Sequence, residues 1–156
     1  MDVAIFDTPI GFCRISGNKA GISNLSLMDA PAQLTPIPPD LADAVAQITE
    51  YFNHKRTEFS FAINPSGTAF QQSVWAALQR VPYGKTLTYL ELAKLVGDAK
   101  SIRAVASANA KNPLWIVVPC HRIIGSNGSL TGYAGKLWRK KWLLEHESPS
   151  GQQQLF

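Results

Sequence analysis

The chain has 156 residues, 46% hydrophobic and 17% charged, enough for one good core or two small ones and too apolar for a disordered chain. Its opening stretch, MDVAIFDTPIGF, carries two acids and neither a basic segment nor a long apolar one, so no secretory signal is expected, and no apolar run approaches the length of a membrane span. The net charge of +4 divides into −3 up to Gly67 and +7 from Thr68 onward; the second part is the one expected to face a polyanion, although a solvated basic surface without a partner accounts for charge alone equally well.

The two cysteines, Cys13 and Cys120, and the three histidines, His54, His121 and His146, match no zinc spacing, so neither a metal nor a cofactor is expected. Two free thiols and the absence of a leader point to a cytoplasmic protein with no membrane partner.

In chain order, residues 3–8, 12–16 and 22–27 read as three short strands. Pro9-Ile10-Gly11 and the cluster 17–21 separate them, which makes an antiparallel meander. A proline-rich loop follows (Pro31, Pro36, Pro38, Pro39). Asp40 is then the expected cap of a helix whose apolar positions Leu41, Ala44, Val45, Ile48, Tyr51 and Phe52 form one stripe able to cover the sheet. Phe59, Phe61 and Ile63 alternate as a final strand. Asn64-Pro-Ser-Gly67 breaks the pattern, giving an expected boundary between an N-terminal domain, 1–66, and a C-terminal one, 67–156.

The second part reads as helices. Thr68 with Gln71, and Thr88 with Glu91, are capping boxes. Phe70, Val74, Ala77 and Leu78 make one apolar face, and Pro82-Tyr83-Gly84 stops that helix. Leu92 and Leu95 follow the second box, Gly97 ends it, and Ser101 is the expected cap of a helix running to about Ala110, before Asn112-Pro113. Two short helices joined by a four-residue turn resemble a helix-turn-helix. Leu114 to Val118 is a short, β-branched apolar run, expected to be buried and extended. Residues 125–135 are loop, 136–146 an amphipathic helix carrying Leu137, Trp138, Trp142 and Leu144, and the tail from Ser148 is expected to be loose.

The sharpest feature is Val118-Pro-Cys-His-Arg-Ile-Ile124. A thiol is a nucleophile only as thiolate, and with an ordinary pKa of roughly 8.5 it needs a base or a positive field. His121 can supply the base, directly or through a water, and a carboxylate should then fix its tautomer; Glu147 is the best candidate. A buried cysteine is more often an inert small hydrophobe, so the pair alone does not establish chemistry. Cys13, without such company, reads as a strand-core thiol.

From Gly67 to Glu147 the chain resembles the active domain of the O6-alkylguanine-DNA alkyltransferases. The stretches GTAFQQSVWAAL (67–78), VPYGKTLTYLELA (81–93), SIRAVASAN (101–109), NPLWIVVPCHRIIG (112–125), TGYAGK (131–136) and RKKWLLEHE (139–147) stand in the family's order and spacing. The N-terminal third resembles it only weakly. The resemblance implies an α+β fold: a small antiparallel sheet with a covering helix, then a mostly helical, winged-helix-like domain with a helix-turn-helix.

It also implies residue roles. Cys120 accepts the alkyl group, and His121, a water and Glu147 draw off its proton. Asn112 braces the cysteine turn. Tyr89 lies against the flipped base and donates to the leaving guanine, with Lys140 supporting that end. Tyr133 with the backbone of Ala134 and Gly135 lines the loop over O6. Arg103 fills the gap left by the nucleotide, and Ala104, Ser107 and Arg122 are expected among the DNA contacts. The implied reaction is direct damage reversal: one irreversible transfer per protein molecule from O6-alkylguanine in duplex DNA, with O4-alkylthymine as a second candidate substrate, by a monomer. Ala106, Trp115 and Lys136 depart from the residues usual in the family at their positions. Three rivals are a damage-flagging relative, which would lack the acceptor cysteine; a transcription regulator, which would need a further domain; and a cysteine hydrolase, which would need an oxyanion hole and turnover.

Overall fold

Residues 2–28 form a three-stranded antiparallel sheet of β1 (Asp2–Thr8), β2 (Gly11–Asn18) and β3 (Gly21–Met28), in sequence order. The register aligns Ala4 with Ile15 and Leu25, and Phe6 with Cys13 and Leu27. These six side chains are all buried, as the period of two requires for one face of a sheet that packs on a core. Helix α1 (Pro39–Phe52) packs on β1 and β2 and buries Leu41, Ala44, Val45, Ile48, Tyr51 and Phe52. The computed structural model describes residues 1–29, 32–130 and 133–148; the expected loose tail beyond Ser148, and residues 131–132 of the loop, lie outside these. The chain divides into two units, Met1–Ser66 and Gly67–Phe156.

Two expectations in the first unit are corrected. Asp40 does not cap α1. The helix starts two residues earlier, with extended Pro38 at the cap position and Pro39 in the first turn, where a missing N–H costs nothing; Asp40 sits in that turn, favourably placed in the helix dipole. Residues 59–63 do not form a strand but a single parallel bridge, Ile22 with Ile63. Ile22 N donates to Ala62 O at 2.9 Å, and Asn64 N donates to Ile22 O at 2.7 Å. The close approach needs Gly21, whose φ is +139° and whose position leaves no room for a Cβ beside the Ala62 backbone, 3.0 Å away.

The second unit comprises α2 (Ala69–Leu78), β4 (Leu87–Thr88), α3 (Tyr89–Val96), α4 (Ile102–Ala110), β5 (Ile123–Ile124) and α5 (Leu137–Glu147). Both capping boxes form. Thr68 and Thr88 accept from the N–H of Gln71 and Glu91, whose side chains return the bond to the cap N–H. Helix α2 buries Val74, Trp75, Ala77 and Leu78, while Phe70 remains 38% exposed and outside that face. Trp75 Nε1 donates to Ala108 O at 2.9 Å, pinning α4 to α2.

Ser101 stands at the start of α4 without a side-chain cap. Asp98 caps the 3-10 turn Ala99–Ser101 that leads into it, accepting from Lys100 N at 2.9 Å, and the Ser101 hydroxyl turns back to Asp98 O. The strands of this unit are one parallel pair, Leu87 with Ile123 and Thr88 with Ile124. Because β4 runs straight into α3 and β5 runs straight out of the Cys120 turn, this pairing brings Tyr89 and the cysteine to one neighbourhood.

Candidate active site

Leu114, Ile116, Val117 and Val118 are buried, as expected, with Trp115 half-buried, but the run is not extended. Asn112 folds it into turns: its Oδ1 accepts from Leu114 N at 2.9 Å, and its Nδ2 donates to Val118 O at 2.7 Å and Leu114 O at 3.3 Å. Val117 N donates to Trp115 O at 2.8 Å and Val118 N to Leu114 O at 2.9 Å, and Ile116 adopts φ +74°. A β-branched residue pays of order 1–3 kcal/mol to sit there, so the surroundings must hold it. The apolar sequence pattern fixed burial; a polar side chain just upstream set the backbone path.

Cys120 opens a short 3-10 turn, Cys120–Arg122, and is 5% exposed. Burial pushes its thiol up to about 11, against the hydrogen bond from Asn112 and the charge of Lys140, which both lower it. His121 is fully buried. Its Nε2 stands 2.8 Å from Glu147 Oε2, while its Nδ1 has no protein hydrogen-bond partner among the described residues. A ring nitrogen facing a carboxylate carries the proton, so Nδ1 holds the free lone pair and is the basic atom.

Glu147, the last residue of α5, is 1% exposed. Burial raises its carboxyl, but the facing His121 and Arg122 outweigh that and hold it far below the ordinary carboxylate range.

Arg122 corrects an expectation. Instead of reaching out toward DNA it is 6% exposed. It donates from Nε to Glu147 Oε1 at 2.8 Å, from Nη2 to Glu147 Oε2 at 2.9 Å and from Nη1 to Val81 O at 2.7 Å. A guanidinium forked on a buried carboxylate is satisfied where it is and has no reason to face solvent.

Lys140 is fully buried, its Nζ 5.9 Å from the ring centre of half-buried Tyr89. Burial lowers its ammonium to about 8 despite the pull of the Cys120 thiolate. Tyr133 is buried with its hydroxyl unpaired among the described residues, and its ring lies 6.0 Å from that of Trp115. Its hydroxyl is raised well above the usual phenol range, first by burial and then by the charges of Cys120 and Glu147. Gly135 must lack a side chain, because a Cβ would fall 2.6 Å from the Tyr133 ring and 3.1 Å from that of Trp115. Ala134 is exposed beside it.

On α4, Arg103, Ala104 and Ser107 are exposed and form one side, while Val105, Ala108 and Asn109 are buried. Small side chains on an open helical face leave its backbone accessible to a groove. Sequence reasoning missed Tyr83. In the sequence it stands only as part of a helix stop, yet its hydroxyl donates to His146 O at 3.3 Å and its ring lies 5.8 Å from the Arg122 guanidinium carbon. No local pattern marks such a contact, since its partners are 39 and more residues downstream.

This arrangement sets a buried cysteine beside a histidine–carboxylate pair, in the same unit as a two-helix element with one open, basic-tipped face. The sequence comparisons agree with that arrangement. Residues 69–149 match the DNA-binding domain of 6-O-methylguanine DNA methyltransferase, and residues 1–65 match that family's ribonuclease-like domain. The chain therefore belongs to the 6-O-methylguanine DNA methyltransferase family. Similar relatives include a methylated-DNA–protein-cysteine methyltransferase of Methanosarcina acetivorans, 42% identical over 94% of this chain and 98% of the relative. One of Mycobacterium leprae is 44% identical over 90% and 88%. The crystal structure of Mycobacterium tuberculosis OGT in complex with DNA superposes with a TM-score of 0.85 at 41% identity, covering 96% of both chains.

Proposed function

We propose that this protein repairs O6-alkylguanine in duplex DNA by moving the alkyl group irreversibly onto Cys120. The observation that carries the reading is the bond between His121 Nε2 and Glu147 Oε2, made immediately beside a buried cysteine and leaving Nδ1 as a free base. The Sγ–H proton passes to Nδ1, directly or through a water. The thiolate attacks the alkyl carbon, a C–S bond forms as the C–O6 bond breaks, and the electron pair leaves on guanine. A hydroxyl donor such as Tyr89 neutralises the developing charge at guanine. The product thioether has no group here to hydrolyse it, so each molecule acts once.

The target atom lies inside a base stack, so the nucleotide must be extruded, at a few kcal/mol for an intact pair and less for a poorly paired lesion. The exposed Arg103, Ala104 and Ser107 of α4 support docking of this helix on the duplex, with the Arg103 guanidinium stacking in the vacated space. Tyr133, Ala134 and Gly135 line the loop over the alkylated oxygen. The excess of positive charge after Gly67 supports contacts made mainly to phosphates. No helix among the described residues is long and apolar enough to cross a membrane, and the reading is of a monomer acting in the cytoplasm.

Titrating an excess of O6-methylguanine duplex tests the reading. Repair should stop at one lesion per protein molecule. Continued turnover would contradict it in favour of a hydrolytic enzyme, and selective binding without repair would contradict it in favour of a protein that only flags damage.

A further inference from the structure

We propose that Arg122 is a positioning residue for alkyl transfer, holding Glu147 as an oriented carboxylate against His121 with the Val81–Tyr83 turn as its anchor. The inference rests on the reading of Cys120 as alkyl acceptor. Three separate pieces of chain meet at this guanidinium. The first is its own 3-10 turn, directly after the nucleophile and the base. The second is the end of α5, through both Glu147 oxygens at 2.8 and 2.9 Å. The third is the turn after α2, through Val81 O at 2.7 Å and the Tyr83 ring. Tyr83 closes the loop by donating to His146 O, one residue before Glu147.

The geometry has a consequence for the base. A planar fork on both carboxylate oxygens fixes the carboxylate plane, and with it the direction in which Oε2 meets His121 Nε2. That fixes the tautomer and leaves the lone pair on Nδ1. The charge matters as much as the fork. Among the described residues, the titratable and charged groups facing Glu147 include His121 and Arg122 from the cysteine turn, Tyr83 from the turn after α2, and Tyr133.

Arg122 is the permanent cation among them, and its charge balances the carboxylate so that His121 need not. Remove it, and the buried carboxylate beside the imidazole loses that counter-charge; the pair then keeps a proton to higher pH, and the base is lost with it. Lysine would keep the charge but not the fork.

The test compares full-length wild type, Arg122→Gln and Arg122→Lys. Folding is checked by circular dichroism and Tm. The single-turnover transfer rate with O6-methylguanine duplex is followed from mildly acid to mildly alkaline pH, with duplex Kd and the rate of Cys120 alkylation by iodoacetamide measured alongside. For Arg122→Gln, transfer at neutral pH should fall about ten- to a hundredfold, the range for outer groups that orient a functional histidine. The acid limb of both rate profiles should move to higher pH, with duplex Kd unchanged. Arg122→Lys should return the limb to its wild-type position while recovering only part of the rate.

A folded Arg122→Gln protein whose acid limb does not move overturns the proposal. So does a defect confined to duplex Kd, which would make Arg122 a DNA contact. If the glutamine variant does not fold, the lysine variant decides: a slowed rate on an unshifted limb supports the proposal, and a wild-type rate overturns it. Wild-type protein that fails to transfer would count against the alkyl-acceptor reading instead, and the iodoacetamide profiles would still report whether Arg122 tunes the base.

Discussion

His121 Nε2 and Glu147 Oε2 stand 2.8 Å apart with both side chains closed off from solvent. The two residues lie 26 positions apart in sequence, yet the end of α5 delivers the carboxylate to the imidazole that directly follows Cys120. Replacing Glu147 with Gln keeps the shape and loses the charge that sets the tautomer. Transfer should fall by about 10²–10⁴-fold, the upper end being the cost of the equivalent change in a serine protease triad. A single-turnover rate below a tenfold loss would contradict this role.

The same substitution leaves the Arg122 guanidinium buried without its counter-charge, which costs about 3–5 kcal/mol; denaturant unfolding measures it. The pH dependence has a definite sign. Glu147 is held far below its ordinary value of 4.5, so the folded state binds fewer protons than the unfolded one as pH drops. Its stabilisation is complete above about pH 4.5 and drains away as pH falls through the folded value. Glu147→Gln should flatten acid unfolding in that range.

Asn112→Ala should loosen the cysteine turn. It orphans the buried Leu114 N and takes one of two donors from Val118 O, which keeps the bond from Cys120 N at 2.8 Å; one unsatisfied buried group costs about 1–3 kcal/mol, and a loss in that range is expected. Urea unfolding gives the number, and transfer should slow further than the stability loss alone explains. A variant within half a kcal/mol of wild type would show that the turn holds itself.

Lys140 and Cys120 make a prediction about thiol reactivity without DNA. The Lys140 ammonium favours the thiolate only while protonated, and burial has lowered it to about 8. Lys140→Gln should therefore slow iodoacetamide alkylation of Cys120 below pH 8, and the deficit should close above it. A deficit that persists unchanged at high pH would assign Lys140 a packing role.

Arg103 lies exposed on α4. Arg103→Ala should weaken repair in duplex DNA far more than reaction with free O6-benzylguanine. Equal losses on the two substrates would contradict its place in the stack.

Much of this was readable from local chemistry. Thr68, Gln71, Thr88 and Glu91 announce their helices because a capping box needs only four consecutive residues. The alternation that sets the sheet face is equally local. Other features failed for reasons that are physical. Asp40 lost the cap because two prolines upstream fix the backbone first. Residues 114–118 carry the hydrophobicity of a strand, but Asn112 supplies hydrogen bonds that a strand would take from a neighbour. Phe59 and Ile63 alternate without finding a sheet edge to extend beyond one bridge. Arg122 reads as a surface cation until the carboxylate 25 residues away is seen folded onto it. Tyr83 is invisible for the same reason, because long-range packing leaves no trace in short-range pattern.

The central claim is that Cys120 takes the alkyl group. The most direct measurement is an intact-mass spectrum of the protein after mixing with a duplex containing O6-methylguanine, followed by peptide mapping. The account predicts a gain of one methylene, located on Cys120, with none in a Cys120→Ser variant. An unchanged mass while the lesion disappears, or an addition on any other residue, would contradict it.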